Sequence, residues 1–268
     1  MFETLMAVLL GGLILLSVIE RIYPYRGNPV AARWPNVALG VCSHAIGRAA
    51  VPIGLGMFAM HWRAGLLNWV AMPMWLKIVV GVLMLDLIKY GQHRMFHRVP
   101  FFWRFHRVHH SDKHLDTTTA MRFHPGQMLI SVGISVLAVM LLGLPMATIF
   151  VFALLNELVL LSTHTNLNIL RRLDAWLRLV IISPRMHWIH HSAVGPRELD
   201  HNFGICFPWW DRLFGTYRAR STAGDQFPFG IENQPHDASA FLQMLLLPVS
   251  WRAAASGAAS RVPPPSQP

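Results

Sequence analysis

The chain has 268 residues, of which 53% are hydrophobic and only 13% are Asp, Glu, Lys or Arg, about half the charge of an average soluble domain. Composition therefore argues against an ordinary water-soluble globule. Lys and Arg number 23 against 13 acids, a net charge of +10, but the bases fall in short runs between apolar stretches rather than along one helix face, which argues against nucleic-acid binding.

Taken in chain order, the first apolar run, Leu5 to Ile19, is with its flanks long enough for a helix across about 30 Å of hydrocarbon. Glu3 precedes it and no basic leader or small-residue cleavage site is visible, so a retained anchor is expected rather than a signal peptide. Arg21, Arg26 and Arg33 follow. The second run, Val37 to Met60, contains His44, Arg48, Gly54 and Gly56, which suits a helix packed inside a bundle. The third, Trp75 to Tyr90, contains Asp86 and leads without a break into a histidine cluster. Met128 to Leu142 and Met146 to Leu161 are separated only by Gly143-Leu144-Pro145, a turn signal that predicts a tight helical hairpin.

Basic residues are dense at Arg94, Arg98, Arg104, Arg107, Lys113 and Arg122, and again at Arg171, Arg172, Arg178, Arg185 and Arg197. The positive-inside rule makes both regions cytoplasmic. Three helices starting from an outside amino terminus deliver residues 91–127 to that side, and the hairpin returns the chain to it, so both regions meet on one membrane face. The expected fold is all-α: a bundle of about four membrane-inserted segments with a cytoplasmic helical cap. Residues 1–90 are expected to form the anchor, 91–250 the catalytic region including the hairpin at 128–161, and 251–268, rich in Ala, Ser and Pro, a disordered tail. No internal repeat of fixed period is present.

Fifteen histidines are about three times the usual share. Eight of them form three clusters, His93-Arg-Met-Phe-His97, His106-Arg-Val-His109-His110 and His187-Trp-Ile-His190-His191. Residues three and four apart share one helical face, so each cluster can aim imidazoles at a common centre. A tetrahedral site needs about four protein ligands, so eight histidines exceed one ion and fit two. Cys42 and Cys206 have no CxxC spacing and imply neither a disulfide framework nor a thiolate site. A nitrogen-rich, thiolate-free ligand set suits iron, with zinc or copper as alternatives, and disfavours magnesium and calcium. His44, His61, His114 and His236 stand alone and read as hydrogen-bonded core residues.

HRMFH, HRVHH and HWIHH resemble, in type and order, the histidine boxes of the fatty acid hydroxylase and sterol desaturase superfamily of integral membrane di-iron enzymes. The resemblance runs from about Asp86 to Tyr217 and includes RFHPG at Arg122 to Gly126, THTN at Thr163 to Asn166, and the closing DHNFG and WWDRLFGTY. It implies oxygen-dependent attack on an unactivated C–H bond of a lipid, two iron ions (zinc being an alternative in recombinant protein), dioxygen as co-substrate and electrons from a separate protein. Hydroxylation is the expected outcome and desaturation the alternative. No covalent or nucleotide cofactor is expected. The resemblance also implies His164, at the cytoplasmic end of the hairpin, as a ninth ligand.

Five further residues are expected around the ligands. Asp86 and Tyr90 share a helical stripe with His93 and His97, so Asp86 is expected to accept an imidazole N–H, with a salt bridge to Lys89 or Arg94 as the structural alternative. Glu157 is a weaker candidate of the same kind. His124, before Pro125, is expected to position its loop, with ligation as the lesser option, and His201 either to hydrogen-bond its loop or to support a ligand. Phe101, Phe102, Trp103, Phe105, Trp209 and Trp210 read most simply as interface anchors, with the lining of a lipid entrance as the alternative. Two competing classes fit less well. A metal-binding transporter or scaffold should spread its polar groups over several helices at the bilayer midplane, and a hydrolytic zinc enzyme should carry an H-E-x-x-H helix, which is absent.

Overall fold

The computed structural model describes residues 2–27, 33–61, 64–231 and 240–250. The expected tail at 251–268 and His236 lie outside them, as do the side chains of Arg48, His61 and Arg197. Among the described residues the chain is helical, with extended pairing confined to the isolated bridges Pro24–Leu167 and Ser192–Phe229.

Five long helices form the body: α1 (Phe2–Ile22), α2 (Arg33–His61), α3 (Met74–Arg98), α5 (Pro125–Leu142) and α6 (Met146–Thr163). The α4 helix (Pro100–His110) follows α3 after Val99. Six shorter elements, α7 (Arg171–Val180), α8 (Pro184–His190), α9 (Pro196–Leu199), α10 (Trp209–Leu213), α11 (Phe241–Ser250) and the turn Thr117–Met121, cover one end. In the body α1 packs on α6, α2 on α5, and α3 on both α5 and α6. The α3 helix is continuous through residues 90 and 91, so the first histidine box is the last two turns of a long helix.

The predicted hairpin is present, and its turn has a local cause. Gly143 adopts φ +66°, ψ 45°, the left-handed cap that ends α5, and Pro145 starts α6 from an extended backbone. Gly65 packs so closely on the Gly143 backbone that a Cβ there would collide with it. α5 and α6, at 18 residues each, are long and apolar enough to cross a membrane. Large apolar side chains face outward on α1, with Ile14 65% and Leu15 60% exposed, and on α5, with Leu141 63% exposed. Inside, Val82 and Leu85 of α3 meet Leu142, Leu144, Phe152 and Val159 of the hairpin, and Ile182, Met186 and Cys206 from the cap join the same core. The cap is thus welded to the bundle by shared burial.

A buried polar network fastens the segment after α4. Arg122, 1% exposed, donates to the Val108 carbonyl (2.9 Å), Asn36 Oδ1 (2.9 Å) and Ser111 Oγ (2.8 Å). Glu20 of α1 accepts from the Thr117 amide, the Thr117 hydroxyl and the Asn166 amide at 2.9–3.1 Å, and pairs with Arg33, which also binds Asp116. Buried charges persist only when so partnered. Of the solitary histidines, His44 bonds the Gly40 carbonyl through Nδ1 (2.8 Å) as expected, whereas His114 is exposed, on the turn after α4.

Candidate metal centre

Four helix ends converge where the cap meets the bundle. The last turns of α3 and α4 carry the first two boxes, α8 and the residue after it carry the third, and His164 caps the end of α6. Local sequence sets where two of these helices begin. Pro100 and Pro184 occupy first-turn positions where no amide hydrogen is needed, and the Ser183 hydroxyl accepts from the Met186 amide (3.2 Å).

Nine histidines form two groups: His93, His97, His106, His110 and His190 in one, His109, His164, His187 and His191 in the other, with ligating atoms within 4.8 Å of one another inside each. In the first, His106 Nε2 lies 3.0 Å from His93 Nε2 and 3.2 Å from His110 Nε2, and His190 Nε2 lies 3.0 Å from His93 Nε2. In the second, His164 Nε2 is 3.1 Å from His109 Nε2 and 3.0 Å from His187 Nε2, with His191 Nε2 3.1 Å from the last. Two nitrogens each about 2.1 Å from one ion, at about 90–100° to each other, stand about 3.0–3.2 Å apart, so the observed spacings fit metal ligation. The groups touch: the His110 and His191 rings stack with centroids 4.3 Å apart.

Hydrogen bonds aim four of these rings. His93 Nδ1 donates to the Phe203 carbonyl (2.9 Å), His190 Nδ1 to the His201 carbonyl (2.7 Å), His106 Nδ1 to Gln127 Oε1 (3.2 Å) and His164 Nδ1 to the Leu160 carbonyl (2.8 Å). A proton held at Nδ1 leaves Nε2 with its lone pair turned inward. Burial first, and then neighbouring imidazoles, hold His109, His110, His187 and His191 well below the ordinary histidine range, so they are neutral at pH 7. Nine neutral imidazoles facing one another with no cation between them would leave their inward lone pairs unsatisfied, which is the strongest sign that cations belong there.

The model of the family described as fatty acid hydroxylase matches residues 78–216, just over half of the chain and a span that contains all nine histidines. This chain belongs to the fatty acid hydroxylase family. Its relatives include an ornithine lipid hydroxylase of Rhizobium tropici, 31% identical over 54% of this chain and 43% of the relative. An alkylglycerol monooxygenase of Caenorhabditis elegans is 28% identical over 59% and 30%, and a cholesterol 25-hydroxylase of Mus musculus is 26% identical over 58% and 55%. The chain thus spans about a third to a half of the length of these relatives. No solved structure matches.

In this family member the flanking residues depart from expectation in part. Asp86 does not reach an imidazole and does not pair with Lys89 or Arg94. Its carboxylate accepts from the Cys206 amide (2.9 Å), the Phe207 amide (3.2 Å) and Trp210 Nε1 (2.8 Å). The reason is distance: seven residues along a helix is about 10 Å, so a shared stripe does not bring Asp86 to His93. It acts one link further out, on the loop whose Phe203 carbonyl orients His93. Tyr90 serves the same loop from the other side through Thr216 (2.8 Å), which donates to Asp211 (2.7 Å), and Asp211 in turn accepts from the Phe203 and Gly204 amides.

His124 caps α5, its Nδ1 accepting from the Gly126 amide (2.9 Å) and its Nε2 bonding the Leu245 carbonyl, and it is in neither metal group, so it positions its loop. His201 contributes its main-chain carbonyl to His190. Glu157 bonds no histidine and instead lines a cavity that opens from the centre between the helices. Among the aromatics, Trp210 is tied to Asp86 and Trp103 packs on His97 and His110, with ring centroids 5.0 and 5.6 Å away, so neither is a simple interface anchor. Gln127, Asp211 and the two loop carbonyls escaped the sequence reading. A carbonyl carries no residue signature, and Gln127 sits 21 positions from the histidine it aims.

Proposed function

We propose that this protein is a membrane-bound oxygenase that hydroxylates a C–H bond of a lipid, using dioxygen and electrons from a separate electron-transfer protein. The observation that carries the reading is the pair of buried histidine groups opening directly onto a cavity walled by the apolar hairpin. His93, His97, His106, His110 and His190 would hold one iron, and His109, His164, His187 and His191 a second. When bound, the two irons supply the redox chemistry by which a lipid R–H, dioxygen, two electrons and two protons become R–OH and water.

The chain's own residues do the rest. The imidazoles, neutral and oriented through Nδ1, keep the ligand atoms fixed. The cavity, of about 220 Å³ and lined by Phe96, Phe123, Met128, Leu160 and Ile205 beside His106 and His109, gives an apolar chain a path to the histidines. The hydroxylase and monooxygenase names of the relatives support the reaction class.

The membrane reading goes with it. α1, α2, α3 and the α5–α6 hairpin would form about four membrane-inserted segments, with residues 1–90 as anchor, 91–250 as catalytic region and the histidine face toward the cytoplasm, as in a bacterial inner membrane. The amphipathic α7, which exposes Leu173, Trp176 and Val180 while Asp174 and Arg178 pair at 2.7 Å, suits a helix lying in the interface.

Incubating iron-loaded protein with a lipid extract, a reductant and labelled dioxygen tests the reaction. Label is expected in a hydroxylated lipid. Products carrying only a new double bond would make it a desaturase, and no lipid product across broad extracts would make it a non-catalytic metal-binding membrane protein.

A further inference from the structure

The polar side chains on the cavity wall divide by whether the protein already uses their hydrogen bonds. Lys89 Nζ donates to Gln92 Oε1 (3.1 Å) and the Ser131 carbonyl (3.4 Å), Gln92 Nε2 donates to Ser131 Oγ (2.7 Å), and Gln127 is held by His106. Glu157 is different. Its Oε2 is buried with no hydrogen-bond partner, in a segment of α6 that faces the cavity. Asn156 beside it lines the same wall, and His44 across from α2 spends only Nδ1, on the Gly40 carbonyl. The electrostatic attraction of His44 is all that Glu157 gains, and with no hydrogen bond to replace the hydration its Oε2 loses, such a group is kept where a ligand completes it.

We propose that Glu157, with Asn156, is the recognition site for a hydrogen-bond-donating group, an ammonium or a hydroxyl, on the lipid substrate. The inference rests on the reading of the cavity as the lipid site of an oxygenase. An anionic group would face the Glu157 carboxylate while the ammonium on the same cavity wall, that of Lys89, is already engaged, and a purely apolar chain would leave Glu157 unsatisfied. Glu157 precedes His164 by seven residues on α6, an axial distance of about 10 Å. The carbon presented to the histidine centre therefore lies within about 10 Å of the recognised group, which directs oxidation to the polar end of the lipid rather than to the far end of its chain.

The test measures binding of hexadecylamine, 1-hexadecanol and hexadecane to the full-length, metal-loaded protein in nanodiscs, with each Kd expressed as the ratio of variant to wild type so that partitioning cancels. For Glu157→Leu the ratio is expected to rise about tenfold for the amine and the alcohol and to stay near one for hexadecane. Glu157→Gln, which keeps an acceptor but no charge, is expected to lose the amine alone, and it carries the test if the leucine variant does not fold. Ratios near one for all three probes, or an equal loss for all three, overturn the proposal. A loss of turnover in Glu157→Gln with all binding ratios unchanged also overturns it, in favour of a proton-transfer role. A protein that binds these probes as expected yet yields no oxidised lipid would sink the oxygenase reading and leave the recognition site standing.

Discussion

His164 Nε2, at the end of the apolar α5–α6 hairpin, stands 3.1 Å from His109 Nε2 of the second box, although 55 residues separate them in the chain. The hairpin therefore contributes a histidine to the candidate metal centre. In a His164→Ala variant the group of four loses one ligand while the group of five is intact. Metal content measured by mass spectrometry on folded protein is expected to fall from about two ions per chain to about one. Two retained ions would remove His164 from the ligand set, and one ion or none in the wild type would refute a two-metal centre. Zinc counts as occupancy here, since nitrogen-rich sites take it by availability.

Asp86 accepts three N–H donors, two from the loop that orients His93 and one from Trp210 of α10. Asp86→Asn preserves size but turns one acceptor atom into a donor facing another donor. The folded protein is expected to survive with about 1–3 kcal/mol less stability, and to hold metal about tenfold more weakly in the His93 group. Circular dichroism with metal titration checks both, and unchanged metal affinity would reduce Asp86 to a purely structural anchor.

Arg122 is almost wholly buried and joins α2, α4 and the segment after it. Arg122→Met fills the space but leaves Asn36, Ser111 and the nearby Asp112 (3.9 Å away) without their cation. A loss of about 3–5 kcal/mol is expected, seen as a lowered Tm in detergent. A melting point unchanged from wild type would show that water replaces the guanidinium there.

Lys113 and Ala223 are exposed on the turn after α4 and on the loop after α10. Single cysteines at both positions are expected to react with an impermeant maleimide only after the membrane is opened. Labelling of one position but not the other in intact cells would contradict a common face for the boxes.

The sequence by itself determined eight of the nine clustered histidines as a set, because box spacing of three and four residues reports a helical face wherever that helix lies in the fold; His164 came only with the family resemblance. It determined the α5–α6 hairpin too, since Gly143 and Pro145 act through local backbone conformation. Tertiary structure alone decided how nine histidines divide into five and four. His109 and His110 are adjacent in the chain yet belong to different groups, because neighbouring helical residues point about 100° apart, so that His109 meets the histidine at the end of α6 and His110 those of α3. It also decided what Asp86 and Glu157 do. Both are acids on apolar helices with the same local signature, but one meets two loop amides and the Trp210 indole N–H while the other faces a cavity that leaves its Oε2 without a donor, and a carboxylate's role is set by the donors that packing delivers to it.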